Sequence, residues 1–307
     1  MRSSACRCET GPVPEAKLPG GVSIAYETFG DPGDPPVLLV MGLGAQMIAW
    51  HEDFCSVLAG RGRHVIRYDN RDCGLSSRFD DHPVDMGRFI ATVSSGDIPT
   101  ARAMIPYSLQ DMANDGMGLL TALGIEKAHI VGSSMGGMIA QTMAISHPAR
   151  VLTLTSMMSS TGEPGYGQAT PEAQQALFAP RPSDREGYIA ASERELAWSS
   201  RRYASATAIR DLAARSYDRA YNPAGTGRQL GAMILAGSRA DALKALDVPA
   251  LVIHGLDDTI IDPSGGRRTA ELIPGARLLL IPDMGHDRPR ELWGALCDAI
   301  EAHTLLP

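Results

Sequence analysis

Residues 128–146 read AHIVGSSMGGMIAQTMAIS. The opening Ala128-His129-Ile130-Val131 is a short apolar run of the kind that forms a buried strand. From about Met135 to Ser146 the residues suit a helix, and Pro148 stops it. Between the two lies Gly132-Ser133-Ser134-Met135-Gly136, which fits the pattern G-x-S-x-G. The pattern alone is common in a glycine- and serine-rich chain, so its context carries the reading. A strand that becomes a helix this abruptly strains the serine and presents its hydroxyl at the carboxyl edge of a sheet. Positions 132 and 136 need glycine because a Cβ there would meet the adjoining strand and helix. The competing reading is a plain strand-to-helix turn that binds an anion without chemistry.

Working outward, short apolar runs alternate with helical patterns, which predicts a mostly parallel sheet covered by helices on both faces. The predicted buried strands are 36–41, 64–68, 128–131, 151–154, 250–253 and 278–281. Ahead of them, Val22–Thr28 alternates with period two, as a half-exposed antiparallel edge strand does. A helix is predicted from Ser108, with Asp111 in a capping-box position and Gly124 as its stop. The alternation breaks between residues 158 and 245, where helix starts appear at Thr170-Pro171-Glu172 and Ser183-Asp184-Arg185-Glu186 but no buried strand does. The expected organisation is therefore an unstructured start over 1–18, a core over 19–157 and 246–307, and an inserted helical cap over 158–245.

Composition narrows the function classes. A hydrophobic content of 44 % supplies a full core, and a net charge of −7 argues against a nucleic-acid surface. Cys6, Cys8, Cys55, Cys73 and Cys297 are odd in number and match no zinc spacing, so reduced thiols in a cytoplasmic protein are expected. The N-terminal residues lack the apolar run of a signal peptide, and no stretch is long enough for a transmembrane segment. No metal or organic cofactor is called for.

A serine nucleophile needs an imidazole to take its proton and a carboxylate to orient that imidazole. Among eight histidines, His286 stands out because Pro282-Asp283-Met284-Gly285-His286 follows the last predicted strand, at the same sheet edge as Ser134. The acid should follow an intervening strand, and His254-Gly255-Leu256-Asp257-Asp258 does so. Asp257, Asp258 and, more remotely, Asp262 all remain open on this ground. The loop Met41-Gly42-Leu43-Gly44-Ala45 after the first buried strand suits a close approach to a substrate oxygen, with Leu43 offering its backbone N–H. The N–H of Met135, at the start of a helix, is the second such donor. Met47, Trp50, Met157 and Trp198 are expected around an apolar pocket.

These motifs, together with Tyr68-Asp69-Asn70-Arg71-Asp72-Cys73-Gly74-Leu75-Ser76, occur in an order that resembles the α/β-hydrolase superfamily over roughly residues 20–305 apart from the cap. Within it the chain looks most like bacterial carboxylesterases and lipases and the aclacinomycin methylesterase type. The resemblance implies Ser134 as nucleophile, Asp258 as acid, His286 as base, and Leu43 and Met135 as oxyanion donors. Two positions depart from the pattern: Met41 replaces a usual histidine, and Asp72 replaces a usual glycine. A serine at the elbow points to acyl transfer, so a carboxylic ester with an apolar part is the expected substrate. Thioester, polyketide methyl ester, aminopeptidase and carbon–carbon bond hydrolysis use the same three residues. For an aminopeptidase, Glu193 and Glu195 would have to hold the substrate amine, although they read equally as a solvated face balanced by Arg194. A ligand-binding protein without turnover is the alternative from a different class.

Overall fold

The computed structural model describes residues 12–179 and 182–305. Eight strands form one sheet in the order β1-β2-β4-β3-β5-β6-β7-β8. In chain order these are β1 (Glu15–Lys17), β2 (Ser23–Phe29), β3 (Pro36–Val40), β4 (His64–Tyr68), β5 (Ala128–Ser133), β6 (Val151–Met157), β7 (Ala250–Gly255) and β8 (Arg277–Ile281). The neighbours from β4 to β8 run parallel, while β1 and β2 are antiparallel additions at one side. All six predicted parallel strands are present. The strand expected at the edge, β2, is covered by β1. The unstructured start expected to reach residue 18 therefore ends earlier. Ala16 and Leu18 are both buried, and Leu18 packs at Gly118, which gives this short segment apolar cover enough to order it. Residues 1–11, with Cys6 and Cys8, lie outside the described residues.

Helices α1 (Glu52–Ala59), α2 (Met86–Ser94), α3 (Ile98–Ala103), α4 (Leu109–Ala122) and α5 (Met135–Ser146) precede β6. Helices α6 (Pro171–Phe178), α7 (Arg185–Ser192), α8 (Ala206–Ala220), α9 (Pro223–Ala236) and α10 (Ala240–Lys244) lie between β6 and β7. Helices α11 (Ser264–Leu272) and α12 (Trp293–Thr304) complete the chain. Ser108 caps α4 in a full capping box with Asp111, and Thr170 and Asp184 cap α6 and α7.

Strand alternation divides the core between the two faces of the sheet. Val37, Leu39, Val131 and Ile253 pack with Phe54 and Leu58 of α1 and Leu296 and Ile300 of α12. Leu38, Val40, Ile66 and Ile130 pack on the other face with Met112 and Leu119 of α4 and Ile139 and Met143 of α5. Each such side chain, fully buried, stabilises the fold by roughly 1.5–3 kcal/mol. Covered on both sides, the parallel strands present only their carboxyl ends, and the segment between β6 and β7 lies over them.

Candidate active site

Ser134 sits between the last residue of β5 and the first of α5 at φ 58° and ψ −124°. A side chain rarely adopts this conformation, whose cost is on the order of 1–3 kcal/mol. The turn is held from several sides. The Ser134 N–H donates to Met157 O at 2.9 Å, and its carbonyl accepts from Gly137 N at 2.8 Å and Ser159 Oγ at 2.9 Å. A Cβ on Gly132 would lie 2.1 Å from Gly136 O, and one on Gly136 would lie 2.2 Å from Val40 O. Both glycines are thus required by the close packing of strand and helix.

His286 follows β8 on a turn whose backbone is pinned from above. Its N–H donates to Trp198 O at 2.6 Å, and a Cβ on Gly285 would collide with residues 198–200. Its Nε2 stands 2.9 Å from Ser134 Oγ, and its Nδ1 stands 2.7 Å from Asp258 Oδ2. The other Asp258 oxygen accepts from the N–H groups of Ile260 and Ile261 at 3.0 and 2.9 Å. Burial alone would raise the pKa of Asp258. The adjoining His286 and His254 outweigh it and hold the carboxyl down at about 2, so it is ionised at neutral pH.

Of the three acids left open by the sequence, only Asp258 meets His286. Asp257 accepts from Arg201 N at 3.2 Å, and Asp262 caps Ser264 N at 2.9 Å. The sequence reading missed His254, whose Nε2 lies 2.8 Å from Ile261 O and 3.3 Å from Asp258 Oδ2. Both neighbours are acceptors, so this nitrogen carries a hydrogen. The only hint was a histidine next to last in β7, four residues ahead of the acid, which reads as an ordinary strand end.

Gly42 runs beside the nucleophile: a Cβ on it would be 3.0 Å from Ser134 Cβ and 3.5 Å from Oγ. Gly42 and Leu43 line the same cavity as Ser134, and Met135 directly follows Ser134 as the first residue of α5. This cavity, of about 1300 Å³, is lined by Leu43, Ser134, Met138, Met158, Trp198 and His286 among others. Of the predicted pocket residues, Trp198 lines it. Met47, Trp50 and Met157 do not: all three are fully buried in the core beneath, where apolar side chains close to the sheet edge gain more from packing than from facing a cavity.

The departures from the usual pattern acquire partners. Asp72 keeps a glycine-like φ of 65°, and its carboxylate is clamped by Arg228 of α9 at 2.8 Å through each oxygen. Near Met41, the Arg288 guanidinium donates to Ser133 Oγ at 2.7 Å and Ala49 O at 3.0 Å and lies 4.2 Å from the centre of the Trp50 ring. The acids suggested for an amine-binding role divide: Glu193 pairs with Arg210, whereas Glu195 lines the cavity. Arg194 donates to Ala179 O at 2.7 Å. Among the described residues no cluster suits a metal ion, and no helix is long and apolar enough to cross a membrane.

A family model for the alpha/beta hydrolase fold matches residues 35–287. The chain is 31 % identical to the rhodomycin D methylesterase DauP of Streptomyces sp. (strain C5), covering 92 % of this chain and 95 % of that protein. It is 29 % identical, at the same coverages, to the rhodomycin D methylesterase DnrP of Streptomyces peucetius. Among solved structures, the enol-lactonase from Burkholderia xenovorans LB400 superposes with a TM-score of 0.71 at 23 % identity, over 95 % of this chain and all of that one. The last comparison speaks to the fold alone.

Proposed function

The chain belongs to the α/β-hydrolase fold family, and we propose that it is a serine esterase working through Ser134, His286 and Asp258. One observation carries the proposal. A strained serine, an imidazole and a low-pKa carboxylate are joined by contacts of 2.9 and 2.7 Å beneath a cavity open to a substrate.

In this mechanism Asp258 accepts the Nδ1–H of His286 and fixes the tautomer in which Nε2 is a base. His286 takes the Ser134 proton as Oγ adds to the ester carbonyl carbon. The carbonyl oxygen becomes an oxyanion held by the N–H groups of Leu43 and Met135. Collapse breaks the bond to the alcohol oxygen, which leaves with the proton from His286, and an acyl-Ser134 remains. Water then gives a proton to His286 and adds to the acyl carbon. Collapse of this second adduct returns the proton to Ser134 and releases the acid. Neither a metal nor a cofactor takes part.

The substrate we infer is a carboxylic ester with a large apolar portion, since the cavity exposes more apolar than polar surface beneath residues 158–245, which act as a cap. A polyketide-type methyl ester is the narrower form of this reading, supported by the two methylesterase relatives. Hydrolysis of p-nitrophenyl esters from acetate to palmitate, by the native protein and by Ser134→Ala, tests it. Activity confined to the native protein is expected. Equal activity in both would remove Ser134 as the nucleophile, and no activity together with no labelling of Ser134 by a fluorophosphonate would favour a binding protein.

A further inference from the structure

The loop after β3 has methionine at position 41 and glycine at 42 and 44, so little in its own sequence holds it still. The body of the protein braces its first half: Asn70 Nδ2 donates to Met41 O at 2.9 Å. The second half is braced from above. Gln229 of α9 has no exposed surface, and its Oε1 accepts the Gly44 N–H at 2.9 Å while its Nε2 donates to Arg71 O at 2.7 Å. Gly44 has φ +63°, and a Cβ there would lie 2.7 Å from Thr226 Oγ1, so α9 rests directly on the loop.

We propose that Gln229 is a positioning residue for the oxyanion donor, which makes cap helix α9 a working part of the oxyanion hole as well as a cover. The inference rests on the serine esterase reading above. Its logic is that of linked planar peptides. The proposed donor, Leu43 N–H, belongs to the Gly42–Leu43 peptide. The peptide before it carries the Met41 carbonyl, which Asn70 holds. The peptide after it carries the Gly44 N–H, which Gln229 holds. The donor unit is suspended between two clamped units, hinged at Gly42 on one side and at Leu43 on the other, and releasing either clamp frees it to swing. Donors act only within about 0.2 Å of their working distance, and a displacement near 1 Å costs about 100-fold.

Gln229 is itself held in register. Its neighbour Arg228 grips Asp72 through two contacts of 2.8 Å, and Asn222, the cap of α9, donates to Asp72 O at 3.1 Å. Both polar ends of the buried amide are spent on backbone groups, the Gly44 N–H in the loop beside the nucleophile and the Arg71 carbonyl in the loop after β4.

The test is covalent labelling by an alkyl fluorophosphonate, resolved into a maximal rate kinact and an apparent binding constant KI. Phosphonylation of Ser134 develops charge on the phosphoryl oxygen, so kinact reads the oxyanion hole, whereas KI reads the cavity. Gln229→Met is expected to lower kinact roughly 10- to 100-fold while KI moves less than about 3-fold. Should that variant melt below the assay temperature, Gln229→Asn is read in the same way, because its amide is too short to span both partners. An unchanged kinact, or a loss confined to KI, overturns the proposal. If the native protein is not labelled at Ser134, it is the esterase reading that fails.

Discussion

The sheet edge and the helical segment above it are held together in opposite ways. At the edge, β5 and α5 are fixed by apolar packing and backbone contacts close enough to impose a strained serine. In α6, α7 and α8 the only buried residues are Ala173, Ser192 and Ala213. Polar fasteners make up the difference there: Arg219 to Asp69 at 2.7 Å, Gln46 Nε2 to Ser216 O at 2.7 Å, and Arg185 to Asp218 at 2.6 Å, while the neighbouring α9 is fastened by Arg228 to Asp72. Apolar packing sums many small contacts, so the edge is stiff enough to store strain for chemistry. A segment carried by a few ion pairs loses much with each one and opens locally at lower cost.

The largest expected effect breaks the edge chemically and leaves the packing alone. Ser134→Ala should lower ester turnover by about five to six orders of magnitude, with a melting midpoint close to native. Next, Asp258→Asn should cost about 10⁴-fold in kcat, as loss of the correct imidazole tautomer does. Asp257→Asn, one residue away, should cost less than about 3-fold, because its carboxylate faces Arg201 and not His286. Comparable losses in the two variants would mean the acid is misassigned.

On the cap side, Arg228→Met leaves the buried Asp72 carboxylate without its ion partner, held by the Phe79 N–H and the Tyr107 hydroxyl. Removing one partner of such a pair costs about 3–5 kcal/mol, which a urea titration would read directly. The pairing with Arg228 and the hydrogen bonds from Phe79 and Tyr107 more than offset burial and keep the pKa of Asp72 below its usual value. Asp72→Gly together with Arg228→Met should recover part of the loss, since glycine accepts φ 65° without strain. A single Arg228→Met variant as stable as the native protein would show that the cap does not depend on its ion pairs.

The smallest effect belongs to the sheet. Burial, reinforced by nearby Arg63 and His303, lowers the pKa of His129 to about 4, against roughly 6.5 for an unfolded chain. The unfolded chain therefore takes up a proton that the folded one refuses between those values. The stabilisation is complete above pH 6.5 and is lost as pH falls towards 4, by about 3 kcal/mol. His129→Gln should flatten this acid limb of the melting midpoint, and an unaltered limb would assign it to other groups.

The same contrast explains what could be read in advance. The parallel strands are legible because each is a short, mostly apolar run, and Ser134 and His286 are legible because each lies in the loop or turn just past such a run. The acid was legible only to within three residues, since Asp257, Asp258 and Asp262 differ in side-chain direction and not in local pattern. Met47, Trp50 and Met157 resisted because methionine and tryptophan suit a pocket wall and a core equally. The contacts of Gln229, Arg228 and His254 join residues 4 to 185 positions apart or depend on tautomer and burial, and no local pattern announces them. Strand β1 was hidden by its length of three residues.

The claim at the centre of this account is that Ser134 carries the acyl group. Rapid mixing with p-nitrophenyl acetate, followed by acid quench and peptide mass analysis, tests it most directly. The account predicts an acetyl adduct on the peptide bearing Ser134, formed as p-nitrophenol is released and absent from Ser134→Ala. Turnover without any adduct, or turnover that survives in Ser134→Ala, would contradict it.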